Sequence, residues 1–302
     1  MPSSLLFVIA SLIWGSTFWA ITLQLGDVPP SVSVAYRFAL ASITLFAICL
    51  VRGDKLRLPW RAQRWMILQG FLTFGLSYVC TYNAEQYVVS ALVAVMFALM
   101  VFFTPICARI GFGKPIPART WSAGTAALAG VLLMFYHALT GAFGDHFLIG
   151  VLLATVASFA SSAGSVVVGK VREEASNLPL TMAWSMLWGT LMVTAYTLLS
   201  GQTFSFPATP SYLAGLVYLA IFGSVIAFYA YFTLINRIGP QKAVYVTVVT
   251  PVISVLLSIK LEHYRPGALE WAGMTLCLAS VAWALRAPPA PVLNQDNLLE
   301  MP

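Results

Sequence analysis

Charge is what this sequence has least of. Only 9% of its 302 residues are Asp, Glu, Lys or Arg, against about a quarter in soluble globular domains, so no water-facing shell can be assembled from it. The 16 basic and 10 acidic residues leave a formal net charge of +6, but the basic residues gather in no patch on an amphipathic element, which excludes a nucleic-acid partner. Cysteine is scarce too: Cys49, Cys80, Cys107 and Cys277 each lie inside an apolar run, with neither metal-ligand nor CxxC spacing. These are small core residues, and neither a metal nor any other cofactor is expected. The N-terminus lacks a basic leader, and its first apolar run belongs to a repeat described below, so a cleaved signal peptide is not expected.

What is present is grease: 60% of residues are hydrophobic and the mean hydropathy is +0.86. Ten runs are long enough to cross a hydrocarbon core of about 30 Å at 1.5 Å per residue, at 4–23, 31–51, 65–87, 89–110, 120–137, 147–169, 178–199, 211–232, 241–259 and 270–286. They are continuously apolar and about twice the length of a barrel strand, which excludes a membrane β-barrel. The gaps are short, and none houses a soluble domain. From Ala287 the chain turns polar and Pro-rich, so 287–302 reads as a disordered tail or a vector-derived remnant.

The basic residues set a direction. With the N-terminus in the cytoplasm, thirteen of the 16 fall in inside gaps or at the start of the tail (Arg52, Lys55, Arg57, Arg61 and Arg64 in one gap alone). Only Lys260 and Arg265 fall outside, and Arg37 lies within a span. This bias predicts a multi-pass protein of the cell inner (plasma) membrane with both termini cytoplasmic.

The second half echoes the first. Trp121-Ser-Ala-Gly-Thr in span 5 lies over Trp271-Ala-Gly-Met-Thr in span 10, 150 residues on, and Pro30 before span 2 lies over Pro179 before span 7. Five spans per half is an odd number, so the second half must enter the membrane upside down. The expected fold class is an all-α polytopic membrane protein: ten transmembrane helices as two inverted five-helix repeats, 1–143 and 144–286. That is a transporter architecture, with the solute site between the halves near the midplane.

Trp14-Gly15-Ser16, Pro29-Pro30 and Arg37-Phe38 in the first half, with Pro251, Leu261-Glu262, Pro266 and Gly273 in the second, resemble the drug/metabolite transporter superfamily and its ten-helix EamA-type members. The resemblance covers residues 4–286. In length and aromatic richness the chain looks most like the YddG-like aromatic amino acid exporters. The resemblance implies an alternating-access carrier with its pathway between spans 1, 3, 4, 6, 8 and 9.

Arg37 is the one charge well inside a span, about 9 Å beyond Ser31, where a cation costs several kcal/mol unless paired or hydrated. Two readings stand: a structural pair with Glu85 or Glu262, or capture of a substrate carboxylate. Trp14, Tyr78, Tyr82, Tyr229 and Tyr245 lie in spans, and a phenol in lipid needs a partner, so these rings are expected to face the protein interior or a wet cavity. Tyr78 and Tyr82 share a face at i, i+4, with Asn83 beside them. Span 6 is small and hydroxylated, with Ser158/Ser162 and Ser161/Ser165 as two faces for packing or for solute. Ser16 and Thr17 in span 1, and Thr247, Thr250 and Ser254 in span 9, offer similar groups, for packing before binding. Pro105 and Pro251 interrupt spans 4 and 9 as hinges or static kinks, and Gly70, Gly75, Gly223 and Gly239 offer further bends.

No acidic residue sits near the middle of any span, Glu85 and Glu262 lying at outer ends. The expectation is an uncharged, polar-aromatic pathway for net-neutral solutes, aromatic or large apolar amino acids first, exported without a membrane-embedded carboxylate. Another metabolite or drug on the same fold is the nearest alternative. A membrane-embedded enzyme is a weaker one, because His137, His146 and His263 all sit at span ends. The expected partners are a small-molecule substrate and the lipid bilayer, with no obligate protein partner.

Overall fold

The computed structural model describes residues 1–24, 28–88, 90–113, 115–116, 118–136, 146–261 and 265–286. Glu262, His137, His263, the 143/144 junction between the halves and the tail from 287 therefore lie outside the described residues. Each apolar run is helical, because in lipid a helix satisfies every backbone polar group within its own segment. The rods are α1 (Ser3–Thr22), α2 (Pro30–Val51), α3 (Trp60–Gln69, Gly70–Leu76 and Ser77–Ala84), α4 (Ser90–Ala98 and Met100–Phe112) and α5 (Ala118–Met134). The second set is α6 (Phe147–Glu174), α7 (Leu178–Leu199), α8 (Pro210–Ala220, Ile221–Ile226 and Ala227–Ile238), α9 (Pro240–Ala243 and Val246–Leu261) and α10 (Ala268–Leu285). No strand occurs among the described residues.

Proline marks the starts. Pro30, Pro179, Pro210 and Pro240 occupy the first or second helical position, where the missing N–H would have had no partner anyway. Gly239, at φ 80°, ends α8 and lets the chain turn directly into Pro240 of α9. On the outside, Ile43, Leu152, Val217 and Leu278 are exposed, as a lipid-facing surface requires.

The rods pair by a rule that survives adding five to every helix number. Helix α2 packs along α7, and α5 along α10; α1 meets α8 and α9 as α6 meets α3 and α4. The α5–α10 seam is close enough that a Cβ on Gly273 would lie 2.5 Å from the Gly130 carbonyl oxygen.

Two features depart from plain helices. Helices α3 and α8 widen into π turns at matching places, Gly70–Leu76 and Ile221–Ile226. Helices α4 and α9 also break once each, at Leu99 and at Val244–Tyr245, six or seven residues before Pro105 and Pro251. Helix α3 starts at Trp60, five residues before the hydropathy boundary, and α6 and α8 run on to Glu174 and Ile238. Polar and basic side chains at these ends escape a hydropathy window but not a helix.

Candidate functional site

Residues of seven helices line one cavity, with about 680 Å³ of atom-free space that includes its opening to solvent. Helix α1 gives Trp14, Thr17 and Ile21, spaced i, i+3, i+7 on one face. Helix α4 gives Ala94, Phe97 and Met100; α6 gives Ser161 and Ser165; α8 gives Phe228 and Tyr231; α9 gives Thr247 and Thr250. Helix α3 gives Thr73, Tyr78 and Thr81. Thr73 and Tyr78 are five apart and still share a face because the π turn between them is one residue wider than an α turn.

Helix α2 gives a single residue, Arg37, which is 1% exposed. Its Nε donates to Ser224 Oγ (2.9 Å) and its Nη1 to Tyr82 Oη (3.3 Å). Both hydroxyls pass their own protons on, Ser224 in the α8 π turn to the Leu219 carbonyl just before that turn, and Tyr82 to Gln24 Oε1. The guanidinium carbon lies 4.7 Å from the centroid of the Tyr78 ring, a cation–π contact. Arg52–Asp54 and Lys170–Glu173 form ion pairs, and Arg37 is in neither of these. Arg37 is therefore oriented by neutral hydroxyls and a ring, with the Glu85 carboxylate acting on its charge from farther off.

The hydroxyls on the other walls are turned the opposite way. Thr17 donates to the Trp14 carbonyl, Thr81 to Ser77, Ser165 to Ser161, Thr247 to Val244 and Thr250 to Val246, all at 2.8–2.9 Å. Ser77 Oγ donates to the Ala157 carbonyl, so the Ser77–Ser161 contact of 2.8 Å is filled by the Ser161 proton. A hydroxyl whose proton is committed to its own helix offers only lone pairs to a guest. Apart from Thr73, whose buried hydroxyl has no hydrogen-bond partner among the described residues, the cavity therefore sets one fixed cation against a set of acceptors, with rings between them. Trp14 packs on Phe228 (5.1 Å) and Tyr231 (4.9 Å), and its Nε1 donates to the Gly223 carbonyl in the α8 π turn (3.2 Å). No Asp or Glu lines the cavity among the described residues.

Of the residues expected from sequence, Trp14, Arg37, Tyr78, Ser161, Ser165 and Thr250 line this cavity, and Tyr82 stands behind Arg37. The others do not reach it. Ser16 donates to the Ile13 carbonyl and meets Tyr218 Oη, while Asn83 donates to the Val79 carbonyl. Ser162 is fully buried outside the cavity lining, and Tyr245 is buried at the α9 break. Tyr229 is 43% exposed on the outer surface. It neighbours the inward Phe228, and the π turn before it shifts the helical phase by one residue, so counting from the start of the run misplaces it. Pro105 and Pro251 lie inside helices beyond the two breaks rather than at them. Sequence reasoning passed over Thr73, Phe97, Met100, Phe228 and Tyr231, and took Thr17 and Thr247 for packing groups; their i, i+3 spacing from Trp14 and Thr250 was the signal for the last two.

A model of the EamA-like transporter family matches residues 1–136 and 148–286. The chain is 30% identical over 275 residues, 89% of it and 86% of the relative, to a protein of Escherichia coli K12 described as the uncharacterized inner membrane transporter YedA. It is 23% identical over 252 residues, 81% of it and 83% of the relative, to the uncharacterized transporter YoaV of Bacillus subtilis. A solved crystal structure superposes with a TM-score of 0.76 at 21% identity, covering 93% of this chain and 96% of the other, and so shares the fold.

Proposed function

The chain belongs to the EamA-like transporter family, and within that membrane-transporter role we propose that it exports neutral amino acids, aromatic or large apolar ones first, by alternating access. The observation that carries the reading is the pairing of Arg37 with proton-committed hydroxyls across one ring-lined cavity. A carboxylate suits the guanidinium, an ammonium suits the lone pairs of Ser165, Thr247 and Thr250, and an aromatic side chain suits Trp14, Tyr78 and Phe228. Arg37 is then a substrate-carboxylate residue held in place by Ser224 and Tyr82. The breaks before Pro105 and Pro251 act as hinges, and the basic ends of the rods face the cytoplasm with both termini.

The test is counterflow in proteoliposomes loaded with phenylalanine. Labelled phenylalanine should exchange, while phenethylamine and hydrocinnamate, which each lack one charged group, should compete at least about tenfold more weakly. Exchange should be indifferent to an imposed pH gradient, since no carboxylate among the described lining residues is available to carry a proton. Nucleoside or sugar exchange without amino acid exchange would refute the substrate class, and collapse without a pH gradient would refute the uncoupled pathway.

A further inference from the structure

A second cleft, with about 330 Å³ of atom-free space, opens at the end of the molecule where α6 passes into α7. It is lined on α3 by Gln69, on α6 by Arg172, on α7 by Thr181 and on α8 by Phe232 and Asn236. These residues continue the faces that line the central cavity. Gln69 is one turn before Thr73, Arg172 two turns after Ser165, and Phe232 and Asn236 one and two turns after Phe228. Three helices thus carry the same stripe through both spaces. Between the two lie packed rings, with Phe74–Phe228 at 5.0 Å, Phe228–Phe232 at 5.3 Å and Phe74–Phe232 at 6.3 Å.

The cleft holds the same kinds of group as the cavity, but its cation, Arg172, is exposed where Arg37 is buried. Arg172 gives one N–H to the Asn236 carbonyl, at the end of α8, which leaves four of a guanidinium's five donors. Thr181, 3% exposed, donates to the Leu178 carbonyl and so turns only lone pairs outward, like Thr247 and Thr250. Gln69, 2% exposed, is held by a hydrogen bond from Ser185 (2.7 Å). We propose that this cleft is a second amino acid site on the same path, a loading station where Arg172 takes the substrate carboxylate before the rings part and pass it to Arg37. The inference rests on the amino acid reading above, and it differs from a purely structural role for Arg172 as a cap on α8.

Equilibrium dialysis of labelled phenylalanine against the purified full chain separates these. Two molecules should bind per wild-type chain. Arg172→Gln should leave one, lost in turn with Arg37→Gln, and Arg172→Lys should weaken the second site several-fold, because it keeps the charge but not the fork. Phenylalaninamide, which has no carboxylate, should displace label from either site at least tenfold less well. One molecule per wild-type chain, removed by Arg37→Gln, would overturn the second site and leave the functional reading standing. Two molecules retained in Arg172→Gln would equally overturn it, reducing Arg172 to a helix cap. A wild-type chain that binds no phenylalanine would overturn the amino acid reading and the loading station together.

Discussion

Seven residues beyond Pro30 stands Arg37; seven beyond Pro179, at the matching place in the inverted half, stands Met186. Around Arg37 are Ser224 and Tyr82, and their counterparts at an offset of 150 are Phe74 and Phe232. Met186, Phe74 and Phe232 share one apolar cluster. The two halves thus place the same backbone at both ends of the cavity and fill one with a hydrogen-bonded cation and the other with packed rings. Elsewhere Tyr78 matches Phe228, and Phe97 and Met100 match Thr247 and Thr250, so each wall of the cavity meets a chemically different partner. A two-fold scaffold with one-fold chemistry would give the proposed zwitterion a single orientation, which a symmetric lining would not.

The comparison breaks most sharply if the first half is made to copy the second. Arg37→Met removes the cation, and phenylalanine exchange should fall about a hundredfold, in line with the ~2–5 kcal/mol lost when one partner of a buried charge pair is truncated. Its melting temperature should fall, because the Glu85 carboxylate loses the cation that acts on it, although Ser224 and Tyr82 keep their outgoing hydrogen bonds. Unchanged exchange would return Arg37 to a structural role. The reciprocal Met186→Arg sets an unpaired charge among Phe74 and Phe232 and should abolish folding, read as loss of the monodisperse peak on gel filtration.

The π turns give the next largest contrast. A Cβ on Gly70 would lie 2.5 Å from the Ser185 carbonyl oxygen and 2.9 Å from the Gly189 nitrogen, both backbone. On Gly223 it would meet Thr17 Cγ2 at 2.9 Å and Arg37 Nη2 at 3.1 Å, both side chain. Gly70→Ala should therefore cost ~1–3 kcal/mol of stability, seen as a lower melting temperature, because two helices must separate. Gly223→Ala should leave melting nearly unchanged and raise the KM for exchange, because it disturbs only Arg37 and Thr17. Equal melting losses in the two variants would show that the α8 π turn is as rigidly seated as that of α3.

How much of this was open to a reader of the sequence follows from what fixes each feature. The ten rods are set by hydropathy against the thickness of a bilayer, a property of each run alone, and so they were legible. Arg37, Trp14 and Tyr78 were legible as anomalies, since a charge or a polar ring in a span calls for an explanation. The π turns were not. Gly70, Gly75 and Gly223 stood out only as places to bend, whereas the wider turn is fixed by contacts across the bundle to Ser185, Thr17 and Arg37. Once the turn adds a residue, Tyr229 rotates outward and Phe228 and Tyr231 inward, which no local count anticipates. The hydroxyl acceptors were half legible: Ser161, Ser165 and Thr250 were visible as polar groups, but which way each proton points depends on the backbone carbonyl one turn back.

That last dependence gives the smallest and most specific effect. Thr250→Val keeps shape and helix but deletes one lone-pair acceptor, and its match in the first half, Met100, has none to lose. The KM for phenylalanine should rise about fivefold, on the order of 1 kcal/mol for one hydrogen bond, while competition by hydrocinnamate, which has no ammonium, should not change. Met100→Thr supplies a new acceptor on the facing wall of the cavity. If the substrate's orientation is set by Arg37, the new hydroxyl lies on the wrong side of the zwitterion and should not rescue Thr250→Val in the double variant. Rescue would mean that the ammonium can use either wall, and that the orientation imposed by the single cation is looser than its fixed hydrogen bonds imply.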